Sequence, residues 1–77
     1  MEQPFTGYKV KAYNLDGEPV ITARYAMDQA ELAYIQAESM FNAGSVNVEG
    51  IGRQTFSCVS VFHCESDRCI DVADYEA

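Results

Sequence analysis

The sequence predicts a single small α+β domain, in which an antiparallel sheet of four to five strands carries one helix packed on one face. Segments with apolar side chains at every second position indicate the strands, and one central stretch with helical spacing indicates the helix. The predicted order of elements is β-β-α-β-β-β. A chain of 77 residues is too short for a second domain, so residues 1–77 form one unit.

The first two strands form a predicted hairpin. Residues 8–13 and 20–25 each have strand patterns, and residues 14–17 between them end in Asp-Gly, which supplies the positive φ that a tight turn requires. Pro19 stands at the start of the second strand, where its missing N–H is tolerated. The alternation of the first strand places Tyr8, Val10 and Ala12 on one face, with Lys9, Lys11 and Tyr13 on the other.

The helix is predicted over residues 29–43. Asp28 and Glu31 have the spacing of a capping box, and Gly44 is suited to the left-handed residue that ends a helix. Ile35 falls on the outer side and is a candidate contact residue. The side chains expected to face the sheet are Ala30, Ala33, Tyr34, Ala37, Met40 and Phe41.

The sequence pattern of the second half of the chain predicts three more strands. They cover residues 46–49, 54–64 and 69–73, with a turn at 65–68 and a frayed tail at 74–77. The fourth strand is apolar on both faces, which favours a central position in the sheet. Unbroken alternation places Phe56, Cys58 and Phe62 on one of its faces, with Val59 and Val61 on the other.

One helix cannot cover both faces of such a sheet. The opposite face is therefore expected to be a solvated surface or a partner surface. The side chains expected there are Lys9, Lys11, Tyr13, Val59 and Val61.

The charge balance limits the classes of partner. Twelve acidic and five basic residues give a net charge of −7, which disfavours direct binding to nucleic acid or to an anionic membrane. The same charge favours a basic protein or ribonucleoprotein partner, although it also keeps a small protein in solution. The amino terminus has no signal-peptide pattern and no apolar run is long enough for a membrane span, so a cytoplasmic protein is expected.

The sequence offers little for catalysis or metal binding. His63 and Cys64 are neighbours on a predicted strand and point to opposite faces, so they cannot easily pair as base and nucleophile. Cys58, Cys64 and Cys69 lack the spacing of a zinc site. Cys64 and Cys69 flank a turn and could form a disulfide, but the odd number of cysteines favours reduced thiols. No cofactor, no metal and no enzymatic activity are expected.

The acidic residues concentrate at the turns, along one helical edge and near the carboxyl terminus. Carboxylates in such positions could occupy a Lys- and Arg-lined channel that normally holds phosphates. Tyr13 and Ile35 are candidate apolar anchors. The candidate partner-binding carboxylates are those of Asp16, Glu18, Glu31, Glu38, Glu65, Asp67 and Asp71.

A strand pair leads through residues 25–31 (Tyr-Ala-Met-Asp-Gln-Ala-Glu) into an alanine-rich helix, followed by Val46-Asn47-Val48 and a last hairpin. This order of elements resembles small phage-borne anti-CRISPR proteins that block type I surveillance complexes, and also a short phage inhibitor of host RNA polymerase. The resemblance implies a stoichiometric inhibitor, acting in the host cytoplasm as a DNA mimic, that plugs a basic surface and prevents target DNA from engaging. It transfers no site residues. An inhibitor or regulator of another host enzyme, or a self-associating module, remains the alternative, and a monomer or weak homodimer is expected.

Overall fold

The computed structural model describes residues 4–76 and has the predicted α+β architecture and order of elements. One helical segment, a short 3-10 turn that leads into an α-helix, follows the first hairpin, and three strands come after it. The elements are β1 (Gly7–Asn14), β2 (Pro19–Tyr25), a 3-10 turn (Met27–Gln29), α1 (Ala30–Ala43), β3 (Ser45–Val48), β4 (Gly52–Glu65) and β5 (Arg68–Glu76).

The long strand β4 is the centre of an antiparallel sheet. It pairs with β1 on one side, and on the other side its second half pairs with β5. Its first four residues pair with β3, and β2 adds to the outer side of β1. The predicted central position of the fourth strand is therefore confirmed.

The hydrophobic core lies between α1 and one face of β1 and β4. Ala33 and Ala37 are fully buried, and their small side chains allow the helix backbone to lie close to the sheet. The rest of the predicted helical stripe is partly buried, as expected. The buried residues of the core cluster are Val10, Ala12, Ala33, Ala37, Phe56, Val59 and Val61.

The placement of Val59 and Val61 on the uncovered face was wrong. Both side chains have no exposed area, because Val61 pairs with Val10 and Val59 with Ala12, and paired residues share a face of the sheet. These four side chains form the layer beneath the helix.

The grouping of Phe56 with Cys58 was also wrong, and a β-bulge is the reason. The β1–β4 register steps from Tyr13↔Cys58 to Asn14↔Phe56, which leaves Ser57 as an extra residue. The Ser57 hydroxyl donates a hydrogen bond to the Asn14 carbonyl oxygen at 2.7 Å. The extra residue turns Phe56 toward the helix, where it is buried, while Cys58 keeps the opposite orientation.

The start of the helix differs from the predicted capping box. Asp28 lies inside the 3-10 turn and caps nothing, whereas the Gln29 side chain accepts a hydrogen bond from the Ala26 N–H at 2.9 Å. The predicted end is confirmed. Gly44 has a φ of 81° and donates its N–H to the Met40 carbonyl oxygen at 3.1 Å.

The predicted fraying of residues 74–77 was wrong for the described part of that segment. The β4–β5 pairing continues to Cys58↔Glu76, and the Tyr75 ring lies 6.2 Å from the Phe41 ring between centroids. Tyr75 therefore anchors the end of β5 against the helix. Ala77 lies outside the described residues.

Cys64 and Cys69 form a disulfide, which corrects the expectation of three reduced thiols. The two residues are direct cross-strand partners in the β4–β5 hairpin, with Cα atoms 4.0 Å apart. Cys58 is the free cysteine.

Reduction of the Cys64–Cys69 bond is expected to lower the free energy of unfolding by about 2 kcal/mol, the chain-entropy value for so short a loop. Chemical denaturation with and without dithiothreitol measures the difference. The double variant Cys64→Ala/Cys69→Ala is the control and should not respond to the reductant. Equal stability of the oxidised and reduced chains would contradict the prediction.

The buried side chain of Asn14 stabilises the β1–β2 turn through hydrogen bonds. Its side-chain oxygen accepts hydrogen bonds from the N–H groups of Asp16 and Glu18, each at 3.0 Å. Its amide nitrogen donates to the side-chain oxygen of Gln54 at 3.2 Å. Asn14 is 8% exposed, so its polar atoms depend on these partners and the turn conformation is fixed by them.

Replacing Asn14 with Ala should lower the free energy of unfolding by about 2 kcal/mol, since two backbone donors and the Gln54 amide lose their partner. Thermal or urea unfolding measures the loss. Leu15→Ala in the same turn is the matched control, because Leu15 is 74% exposed. Its effect should remain within about 0.5 kcal/mol; similar losses in both variants would contradict the role given to Asn14.

Candidate functional site

The acidic side chains dominate the outer surface. Eleven of the twelve acidic residues lie in the described part of the chain, and all eleven are exposed. In contrast, Lys9 and Lys11 are only partly exposed. Arg24, Arg53 and Arg68 are exposed as well, so the surface has the excess of negative charge that the composition implies.

The outer side of α1 carries a short acidic stripe around one apolar side chain. Glu31, Ile35 and Glu38 are spaced by four and three residues, which places them on one side of the helix; we call them the helix stripe. Ile35 is 54% exposed, and the two carboxylates begin about 10 Å apart along the axis. The helix contains no Lys or Arg. The structure thus brings together three of the predicted contact residues.

The acidic turns lie at opposite ends of the sheet. Asp16 and Glu18 follow the end of β1, whereas Glu65 and Asp67 lie beside its beginning, because Gly7 pairs with Cys64. Eight residues of β1 separate the two turns, a length of about 25 Å. These two predicted pairs of carboxylates therefore belong to different surfaces.

Asp67 is engaged in the structure of its own turn. Its carboxylate accepts a hydrogen bond from the Phe5 N–H, and its own N–H donates to the Phe5 carbonyl oxygen, both at 2.8 Å. The Thr6 hydroxyl oxygen accepts the Ser66 N–H at 3.0 Å. Ser66 and Asp67 both have positive φ, as a two-residue type I′ turn requires. Asp67 therefore holds the segment before β1 against the turn.

The face of the sheet opposite the helix, which we call the open face, is divided by charge. Its side chains follow from the strand register and form rows that run from β2 across β1 and β4 to β5. The first row is Arg24, Lys9, Phe62 and Asp71; the second is Thr22, Lys11, Ser60 and Asp74; the third is Tyr13, Cys58 and Glu76. The predicted contact residues Tyr13 and Asp71 lie here, on the side away from the helix stripe.

The β1–β2 half of the open face is basic and aromatic. The Phe5 ring lies 5.4 Å from the Lys9 ammonium and 5.8 Å from the Arg24 guanidinium, measured to the ring centroid. The Lys11 ammonium lies 5.7 Å from the centroid of Phe62. These distances are those of cation–π contacts. The three cations thus have aromatic neighbours within their own molecule.

The β5 half of the open face is acidic because of a second bulge. The register changes from Ala73↔Val61 to Asp71↔Phe62, so one extra residue of β5 has no partner. Asp71 and Asp74, three positions apart, consequently lie on the same face and share a hydrogen bond. Sequence reasoning missed this pair, since regular alternation places such positions on opposite faces.

The two carboxyl groups have opposite pKa shifts. The hydrogen bond to Asp74, with smaller contributions from burial and from the Asp74 charge, raises the pKa of Asp71. The Ser60 hydroxyl donates to the Asp74 carboxylate at 2.6 Å, and this bond together with the one from Asp71 lowers the pKa of Asp74. Of the two carboxyl groups, Asp71 is therefore the one that binds a proton more readily.

Tyr13 lies beside this acidic pair. Burial is the main cause that raises the pKa of its hydroxyl, and electrostatic interactions with Cys58, Asp71 and Asp74 add to it. The Tyr13 hydroxyl therefore remains protonated and can donate a hydrogen bond.

His63 and Cys64 do not form a pair of base and nucleophile. Its ring stacks on Tyr8 with centroids 5.2 Å apart, and the adjacent Cys64 is in the disulfide. A shallow hollow of 590 Å³ lies beside it, lined by His63, Glu65, Ser66, Arg68 and Ile70. Across residues 4–76, His, Cys, Asp and Glu side chains form no group of three that could hold a metal ion.

Comparison with known proteins adds no further assignment. No family model, curated protein or solved structure matches the chain. None of the helices in the described part of the chain has the length and apolar content needed to cross a bilayer. The functional interpretation therefore depends on the surfaces described above.

Asp71→Asn should make the stability of the protein less sensitive to rising pH. The raised pKa of Asp71 means that the folded chain binds its proton more tightly than the unfolded chain, so stability is lost as pH rises through that pKa. An Asn amide can donate a hydrogen bond to Asp74 at any pH, because it does not have to bind a proton first. The variant should therefore be more stable than the parent at neutral pH, with the difference shrinking toward about pH 4, near the ordinary Asp pKa.

Urea denaturation at several pH values measures this effect. Asp16→Asn is the control, since it removes an exposed carboxylate from the β1–β2 turn, several residues along β1 from the row that contains Asp71. A stability difference for Asp71→Asn that does not change with pH would contradict the raised pKa of Asp71.

Proposed function

We propose that this chain is a non-enzymatic inhibitor that binds a basic, nucleic-acid-binding surface of a partner complex and keeps DNA from engaging it. The observation that carries the proposal is the helix stripe, where an exposed Ile35 stands between Glu31 and Glu38 on a helix without a cation. The partner is a basic protein or ribonucleoprotein complex. The resemblance to small anti-CRISPR proteins suggests a type I surveillance complex in the host cytoplasm as its identity.

The helix stripe has the composition of a small protein-binding surface. Protein interfaces combine an apolar centre with a polar rim, and here Ile35 supplies the centre while two carboxylates supply the rim. Ile35 can enter a partner pocket and lose its remaining exposed area. Glu31 and Glu38 can pair with Lys and Arg side chains that otherwise contact phosphates, which accelerates association and makes it sensitive to salt.

The remaining predicted contact residues extend this surface only in part. Asp16 with Glu18, and Glu65 with Asp67, lie at the two ends of a molecule whose longest extent is 33 Å. A partner channel longer than the helix stripe can also contact one or both turns. Asp71 and Tyr13 lie on the opposite face, so a flat partner surface that contacts the helix stripe does not contact them.

The same chemistry suits an inhibitor or regulator of another host enzyme. RNA polymerase also has a basic channel that holds nucleic acid, and the helix stripe would bind it by the same contacts. The choice between the two partners is therefore made by experiment.

The double variant Glu31→Gln/Glu38→Gln should weaken binding to the partner about tenfold, which corresponds to about 1.4 kcal/mol. Competition between the protein and target DNA for a type I surveillance complex measures the loss, and a transcription assay with host RNA polymerase is run in parallel. The separate variant Ile35→Ala should also weaken binding, because the apolar contact with the partner is lost.

The matched control is Glu49→Gln/Glu76→Gln, which removes two charges at exposed positions that are not among the predicted contact residues. Its effect should be markedly smaller. Equal losses in both variants would show that only net charge matters, which contradicts the role of the helix stripe. Inhibition of transcription without any effect on DNA binding by the surveillance complex would favour the alternative partner.

A further inference from the structure

We infer that the open face is self-complementary and that two copies of the chain associate through it, face to face. This surface lies on the opposite side of the sheet from the helix stripe. The inference is therefore independent of the proposed inhibitor function, and either can fail without the other.

The basis is the separation of charge across the open face. Three of the five basic residues of the chain, Lys9, Lys11 and Arg24, lie on the strands β1 and β2. Three carboxylates, those of Asp71, Asp74 and Glu76, lie on β5 at the opposite edge. The neighbours recorded for these three cations are aromatic rings, Phe5 for Lys9 and Arg24 and Phe62 for Lys11. Each half of the face therefore has its complement in the other half of a second molecule.

A two-fold axis parallel to the central strands places the basic half of each copy opposite the acidic half of the other. Rotation about such an axis between β1 and β4 exchanges β2 with β5 and keeps each row opposite its own copy. Arg24 then faces Asp71 of the second copy, and Lys9 faces its Phe62. An axis perpendicular to the strands would instead place β5 over β5, with like charges opposed. The charges therefore select one of the two symmetric arrangements.

The chemistry of the remaining positions suits such a contact. Phe5, Phe62 and Tyr13 are partly exposed, so they have apolar area left to bury. Ser60 is already buried, and its hydroxyl donates a hydrogen bond to Asp74 within its own molecule. Two sheets that pack face to face lie about 10 Å apart with nearly aligned strands, and a two-fold axis along the strands provides that alignment.

The size of the face predicts a weak dimer. Four strands of about eight residues cover on the order of 500 Å² per molecule at ordinary strand spacing, or about 1,000 Å² in total. That value is at the lower limit for specific interfaces. A reversible dimer with a strong salt dependence is therefore expected. Such a dimer presents two helix stripes on opposite outer sides, which raises avidity for a partner with repeated basic sites.

Sedimentation equilibrium of the unmodified chain tests the association directly. We expect a concentration-dependent monomer–dimer equilibrium at low salt, with a dissociation constant that increases at least about tenfold near 1 M salt, where the Debye length is about 3 Å. A strict monomer at high protein concentration and low salt would overturn the inference.

A charge exchange tests the arrangement of the interface. Lys9→Glu/Lys11→Glu leaves Arg24 as the one cation of the described open face and makes that face strongly acidic. Asp71→Lys/Glu76→Lys makes the face strongly basic and keeps the Ser60–Asp74 hydrogen bond. Each variant alone should be monomeric through repulsion, whereas an equimolar mixture should form a heterodimer. Circular dichroism confirms that each variant is folded. Dimers of either variant alone, or no association in the mixture, would overturn the assigned surface.

Cys58 provides a readout that needs no substitution. It is the free cysteine, lies in the third row of the open face, and is close to the proposed axis. A short bis-maleimide should therefore link two chains at low salt and fail to do so at high salt. If a labelled single-stranded oligonucleotide binds the basic half and a second chain does not, the inference of self-association is wrong.

Discussion

The pairing of β4 with strands on both of its sides is the constraint on which the other features of the structure depend. Because β1 and β5 both form hydrogen-bonded pairs with residues 58–64 of β4, the two faces of that segment are fixed. One face carries Val59 and Val61 under the alanines of α1. That packing orients the helix so that Ile35 points outward, and it leaves the opposite face of the sheet uncovered.

Two bulges determine which side chains meet on these faces. The extra residue at Ser57 turns Phe56 into the core, where it closes the end of the layer formed by the valines. The extra residue in β5 brings Asp71 and Asp74 to the same side, where the Asp74 side chain raises the pKa of Asp71. Each insertion changes the alternation by one position, and with it the surface to which every later side chain of the strand belongs.

The two surfaces of the molecule offer different chemistry to different partners. The helix stripe is acidic with a single apolar centre and suits a basic surface from which phosphates can be displaced. The open face combines cations, aromatic rings and carboxylates, and suits a second copy of itself. Because the sheet separates them, both contacts can exist in one assembly. A chain of this size has a small core, and additional contacts of this kind add to its stability.

The periodicity of local segments was enough to predict the fold class, the order of elements, the central position of β4 and the inward stripe of α1. Regular helical spacing also placed Glu31 and Glu38 on one edge of the helix and Ile35 on its outer side. Three features are set only in the folded chain: the burial of Val59 and Val61, the pairing of Cys64 with Cys69 and the Asp71–Asp74 contact. Those features depend on register between distant strands, and a bulge that changes the register has no local pattern from which it can be predicted.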